Sequence, residues 1–300
     1  MSSWSLRKKI SEDTLARIPA ILHEVREGSS DSTFISEQLP PLPKEKCPNH
    51  PPTKIRVLNT DSFTAARNIM RNAVEAGDNA DGKVAVLNLA SDLQPGGGWA
   101  QTLSRTQASS STEEALCYSS TLYPTLQDRW YPWPNVGNGS VSGIFSPRVV
   151  IFKDDLDHNC VDLEPSERRV VSVITVAAPR SPRLTNGRIV PQTLEWFREK
   201  IRLVYRMAAH NGREYLVLAA MGCGAYRCPA PHVAEEMKEI LLQSEFKGWF
   251  REVVFAVYAT DRNSNFDTFE EVLDGVEING ELTSTKSLYN TFQRLYHRVV

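Results

Sequence analysis

Apolar residues along the chain follow two alternating periods. Short runs rich in β-branched residues at 54–58, 84–89, 149–152, 170–176, 215–220 and 253–258 have the length and continuity of strands buried on both faces. Between them the period lengthens. Phe63, Ala66, Ile69, Met70 and Ala73 share one helical face, and Leu194, Phe197, Ile201, Val204 and Ala208 share another, between Pro191 and Gly212. Val233, Met237, Ile240 and Leu241 make a third face after Pro229 and Pro231. Strands that alternate with helices at this spacing predict an α/β fold, a three-layer α/β/α sandwich around a parallel or mixed sheet. Such sheets bind ligands at the carboxyl ends of their strands.

Two segments stand outside this alternation. Residues 5–27 carry Leu6, Ile10, Leu15, Ile18, Ile21, Leu22 and Val25 at helical spacing, interrupted by Pro19, and read as a helical arm packed on the main body. The Ser- and Pro-rich stretch 28–53 is expected to run extended over the surface with no core of its own. This divides the chain into an arm with its linker, 1–53, and a domain, 54–300. The segment 129–147 is irregular but aromatic, and is a candidate lid.

Composition narrows the chemistry. With 34 Lys and Arg against 36 Asp and Glu, no general field would hold the protein on duplex nucleic acid or an acidic membrane, so any anion site is local. Five cysteines without a CxxC pair fit a reducing compartment rather than a disulfide framework. The charged amino terminus and the lack of a long apolar run give an expectation of a cytoplasmic or nuclear monomer. Six histidines show no HxxxH or HxH spacing, so neither a metal nor another cofactor is expected.

The loops carry the candidate site. After the run at 84–89, the chain reads Ser91-Asp92-Leu93-Gln94-Pro95-Gly96-Gly97-Gly98. Consecutive glycines let backbone N–H groups converge without Cβ obstruction, which makes either a phosphate nest or a plain turn. It is neither a Walker loop nor the spaced pattern of a dinucleotide fold. A second loop, Met221-Gly222-Cys223-Gly224-Ala225-Tyr226-Arg227, leaves the run at 215–220. Two such loops on one sheet edge can grip a diphosphate from both sides. Cys223 reads first as a small packing residue.

Between the loops lies Ser111-Thr112-Glu113-Glu114. Ser111 and Glu114 have capping-box spacing, which gives Glu114 a purely structural reading. The alternative is that two adjacent carboxylates beside a phosphate nest serve a sugar, one orienting a hydroxyl and one delivering a proton.

Taken in order, NLAS-x-x-x-PGGG, TEEALCYSSTLYPTL, VVIFKDD, VITVAAP, MGCGAYRCP and VVFAVYATDRNSNFDTFEEVL resemble the microbial-type poly(ADP-ribose) glycohydrolase family, a branch of the macrodomain fold. The resemblance covers almost the whole chain, amino-terminal helix included. It implies a hydrolase of ADP-ribosyl O-glycosidic bonds, acting on poly(ADP-ribose) or ADP-ribosylated proteins. It assigns the diphosphate to Gly96, Gly97 and Gly98 and to Gly222, Cys223, Gly224 and Ala225, followed by Tyr226. Asn88 would face the distal ribose, Glu113 would orient it, and Glu114 would be the acid and then the base. Asp61 matches the adenine-reading position, although as a helix N-cap it has an equal structural reading. Phe266 is placed to stack on adenine or to pack in the core. The chain departs from the family in having Thr112 where the signature has Gln, and in a longer spacer, Trp99 to Ser111; both bear on substrate choice. The competing readings are a macrodomain that binds ADP-ribose without chemistry, a mono-ADP-ribosyl hydrolase, and a hydrolase of another ADP-ribose derivative.

Overall fold

The computed structural model describes residues 3–99, 112–259 and 264–280. Helix α1, Ser3–Glu24, opens the chain and keeps Pro19 in its interior. Strand β1 is Thr33–Ile35, β2 is Thr53–Lys54 and β3 is Arg56–Leu58, followed by helix α2, Ser62–Glu75. Next come β4, Val84–Leu89, helix α3, Thr112–Ser119, β5, Gly143–Ile151, and β6, Arg169–Val176. A small hairpin, β7 Leu184–Thr185 and β8 Arg188–Ile189, precedes helix α4, Pro191–His210. Then follow β9, Tyr215–Leu218, α5, Ala230–Leu241, β10, Glu252–Ala256, α6, Asn265–Leu273, and β11, Glu277–Ile278.

The main sheet has the order β1-β5-β6-β4-β9-β10-β3. Its five strands from β6 to β3 run parallel; β5 pairs antiparallel with β6, and β1 pairs antiparallel with β5. The parallel strands read as continuous apolar runs because helices cover both faces. On one face α4 and α5 bury Phe197, Ile201, Val204, Val233 and Met237 against Ile174, Leu216 and Phe255. On the other, α2 and α3 bury Phe63, Ala66, Ile69 and Leu116 against Val86, Val173 and Val217. The expected three-layer sandwich is what forms, with all three expected helical faces turned inward. Among the described residues, no helix is long and apolar enough to cross a membrane.

Two expectations need correction. The stretch 28–53 is not a coil without core contacts: β1 pairs with β5 at the sheet edge, Phe34 stacks on Trp130 with ring centroids 5.9 Å apart, and Leu42 is buried. Three strand residues between polar flanks are too few to show a period. The segment 129–147 is not a lid, because Trp133 is buried in the core on the α2–α3 side and 143–147 is the first half of β5. Pro147 hid that strand; it sits where the β5–β6 register shifts, between Ser146 and Val149, the kind of irregularity at which a sheet tolerates proline.

Helix α1 is fastened to the body by chemistry as well as packing. Ile18 and Ile21 bury against Val150 and Phe152. Thr14 Oγ1 donates to the Tyr118 carbonyl at 2.8 Å, and the buried Lys153 donates to Thr14 Oγ1 at 2.9 Å and to Asp13 at 2.6 Å. The arm therefore rests against the end of α3, the helix that carries the two glutamates.

Candidate active site

Both glycine loops lie at the carboxyl edge of the parallel strands. In the loop after β4, Gly96 and Gly97 have φ of +66° and +60°, a left-handed geometry that side chains rarely adopt. A Cβ on Gly96 would also lie 2.9 Å from Trp99 Cβ and 3.0 Å from the Tyr123 ring. In the loop after β9, Gly222 has φ +78°, and a Cβ there would meet Ala178 Cβ at 2.6 Å and Cys228 Sγ at 2.8 Å. Gly96 and Gly222 require glycine on two counts, conformation and space, and Gly97 on conformation.

Helix α3 starts between the loops and turns both glutamates inward, each 1% exposed. Glu113 Oε2 accepts from the Ser91 N–H at 2.8 Å, and Oε1 accepts from Asn88 Nδ2 at 3.2 Å. Asn88 is itself oriented by a bond of 3.2 Å to Thr175 Oγ1. Burial pushes the Glu113 carboxyl up to about 8; the bonds from Ser91, Asn88 and Gly96 oppose that rise, and the charge of Glu114 adds to it. Glu114 Oε1 accepts from the Gly98 N–H at 3.2 Å, which joins the second carboxyl directly to the first glycine loop. Ser111, the other half of the expected capping box, lies outside the described residues.

These groups open on a cleft of about 750 Å³, large enough for a nucleotide-sized ligand. Gly97, Gly98, Thr112, Glu113 and Glu114 line it from one side, and Gly222, Gly224, Ala225 and Tyr226 from the other. Asp61 lines it too, while its Oδ1 caps α2 by accepting from Phe63 N–H at 2.7 Å and Thr64 N–H at 3.1 Å, so the N-cap reading is what forms, at a position on the cleft wall. Burial, more than any other influence, raises the Asp61 carboxyl above its ordinary range. Asn88 is fully buried behind Glu113, and Gly96 and Cys223 lie outside the cleft wall. Burial pushes the Cys223 thiol far up, which suits a packing residue. Phe266 packs half-buried on the α4–α5 side of the core, and its neighbour Asn265 reaches the cleft instead.

The cleft also recruits residues that sequence reasoning passed over. Arg7 comes from α1, Asp155 and Asp157 from the turn after β5, Arg180 from the loop after β6, and Tyr258 from the end of β10. Tyr258 is 54% exposed and donates to Asp157 at 2.9 Å. Arg180 and Tyr258 follow strand ends, so the rule that ligands gather there was the available signal. Asp154, Asp155 and His158 are the metal-type donors that come together among the described residues. They are already engaged, Asp154 with Arg67 and Asp155 with Thr64 and His158. A smaller cleft of about 500 Å³ at the amino ends of β3, β9 and β10 contains neither glycine loop and neither glutamate.

Comparison with known proteins follows the same lines. The family described as microbial-type PARG, catalytic domain, matches residues 20–154. Poly(ADP-ribose) glycohydrolase from Thermomonospora curvata is similar over 89% of this chain and 99% of its own, with 27% identity and a TM-score of 0.71. The same enzyme bound to the inhibitor ADP-HPD aligns at 28% identity over 88% of this chain and 98% of its own, with a TM-score of 0.69. A mutant of the Deinococcus radiodurans glycohydrolase in complex with ADP-ribose is 30% identical over 73% of this chain and 83% of its own, with a TM-score of 0.58. No curated protein sequence matches significantly. With a relative 30% identical and covered over 83% of its length, and with the family model matching residues 20–154, the chain belongs to the microbial-type poly(ADP-ribose) glycohydrolase family.

Proposed function

We propose that this protein hydrolyses ADP-ribosyl O-glycosidic bonds, with the ribose–ribose linkages of poly(ADP-ribose) as its main substrate. The observation that carries this reading is the bonding of two adjacent buried carboxyls to the first glycine loop, Glu113 through Ser91 N–H and Glu114 through Gly98 N–H. A reader of ADP-ribose has no use for such a pair. ADP-ribose and ADP-HPD in the related structures support a ligand of the same kind here.

In this mechanism the glycine loops hold the diphosphate with backbone N–H groups, and Asp61 meets the adenine end of the cleft. Glu113, caged on both oxygens, holds the distal ribose in place rather than exchanging protons with it. Glu114 gives its proton to the leaving ribose oxygen as the C1–O bond breaks and positive charge develops on the anomeric centre. Water then adds to that carbon, and its proton returns to the Glu114 carboxylate, so acid and base are one residue used twice. Products are ADP-ribose and a shortened chain or an unmodified acceptor.

Thr112, on the cleft wall at the start of α3, favours a second substrate class as an outcome. A threonine makes a smaller wall than an amide side chain, which changes the fit of whatever lies beyond the scissile bond. Incubation with poly(ADP-ribosyl)ated and mono(ADP-ribosyl)ated protein, with products identified by mass, separates the two. Release of ADP-ribose from chains supports the proposal. Release only from the mono-modified protein moves the substrate, and release from neither overturns the hydrolase reading.

A further inference from the structure

The two glycine loops come from different strands, β4 and β9, so something must fix the gap between them. Asp92, in the first loop, is 1% exposed, and a buried carboxylate is tolerated only when it is partnered. Its partners come from the neighbouring loops. Oδ1 accepts from Tyr226 Oη in the second glycine loop at 2.7 Å, and Oδ2 accepts from Arg180 Nη2 in the loop after β6 at 2.5 Å. The Asp92 N–H donates back to Tyr226 Oη at 3.3 Å, and the Arg180 guanidinium lies 5.9 Å from the Tyr226 ring centroid.

The same loops are tied by backbone. Ser181 N–H donates to the Tyr226 carbonyl at 2.8 Å, and Trp133 N–H donates to the Asp92 carbonyl at 3.0 Å. Asn135 accepts from Arg180 N–H at 2.7 Å and donates to the Ala178 carbonyl at 2.9 Å. One buried carboxylate therefore sits where the ends of β4, β6 and β9 meet, one residue from the Ser91 N–H that holds Glu113.

We infer that Asp92 is a positioning residue that latches the two glycine loops at the separation a diphosphate needs, acting through the Tyr226 hydroxyl and holding Arg180 at the mouth of the cleft. The inference rests on the proposed function, since a latch matters only if both loops grip one ligand. Preorganisation of this kind lowers the cost of binding without touching the reacting atoms.

Tyr226→Phe tests it, because the variant keeps the ring and its packing and loses one hydroxyl. Titration calorimetry with ADP-ribose and steady-state turnover are measured on the wild type, Tyr226→Phe, Asp92→Ala and the double variant. The expected result for Tyr226→Phe is a rise of about tenfold in the ADP-ribose dissociation constant, the scale of a lost hydrogen bond to a charged group, with a parallel rise in KM. The loss should fall on KM and the dissociation constant more than on kcat. The effects of Tyr226→Phe and Asp92→Ala should be strongly non-additive, since they break one bond from its two ends. Where Asp92→Ala does not fold, Asp92→Asn takes its place in the cycle, because Tyr226 itself lines the cleft and the coupling between the two positions is what decides. Wild-type affinity in Tyr226→Phe overturns the latch while the proposed function stands. A fall in kcat at unchanged affinity also overturns it and makes the hydroxyl part of the chemistry. A wild type that binds no ADP-ribose overturns the proposed function and the latch together.

Discussion

Glu113 and Glu114 are neighbours in sequence, yet their surroundings differ. Glu113 is enclosed by Ser91, Asn88 and Gly96, and burial raises its carboxyl to about 8, against 4.5 for an ordinary glutamate. The unfolded chain releases that proton at the ordinary value, so between about pH 4.5 and pH 8 the native state holds a proton that the unfolded state does not. The stability tied to this site is fully present below that window and is lost as pH rises through it. Glu113→Gln, neutral at every pH, should therefore gain melting temperature relative to the wild type as buffers go from pH 5 to pH 8. Parallel curves across that range would contradict the buried, protonated carboxyl. Much of this site was legible residue by residue: the glycines and both glutamates stood out because each needs a particular backbone or a particular charge. Asn88 was legible as a site residue, but its place behind Glu113 depends on the β4–β6 pairing that sets it beside Thr175. Tyr258 was missed because an aromatic residue at a strand end looks like core until its exposure is known.

At the scale of elements, the second glycine loop gives a contrast inside a single turn. Gly222→Ala forces a left-handed residue to carry a Cβ 2.6 Å from Ala178, whereas Gly224 has open space and no positive φ. Gly222→Ala should cost about 1–3 kcal/mol and lower the melting temperature by several degrees, while Gly224→Ala stays within about 0.5 kcal/mol of wild type. Equal melting of the two variants would mean the loop is not held as described. The arm makes a separate claim. Ile21 is 2% exposed and packs with Val150 and Phe152, so Ile21→Ala should cost about 2–4 kcal/mol in a thermal or denaturant melt. A silent substitution would show an arm merely resting on the surface. Long periodic elements such as α2, α4 and α5 were legible because burial repeats along them. Strand β1 and the first half of β5 were not, since one has three residues and the other is broken by Pro147 at a register shift.

For the molecule as a whole, charge is nearly balanced, and the elements that line the larger of the two described clefts meet at α3. The sheet edge supplies the two glycine loops, α1 supports the far end of α3 at Tyr118, and α3 delivers both carboxyls between the loops. Fold class was readable from strand–helix alternation and the family from the order of the loop motifs; the support of α3 by the arm and the loop-to-loop contacts are products of tertiary packing and leave no local pattern. The proposed role of Glu114 as proton carrier in glycosidic cleavage is open to one comparison, wild type against Glu114→Gln in ADP-ribose release from poly(ADP-ribose), with ADP-ribose binding measured on the same samples. The expected result is a rate loss of at least about a hundredfold with binding preserved, the scale of general acid–base catalysis. Normal turnover by Glu114→Gln would contradict it.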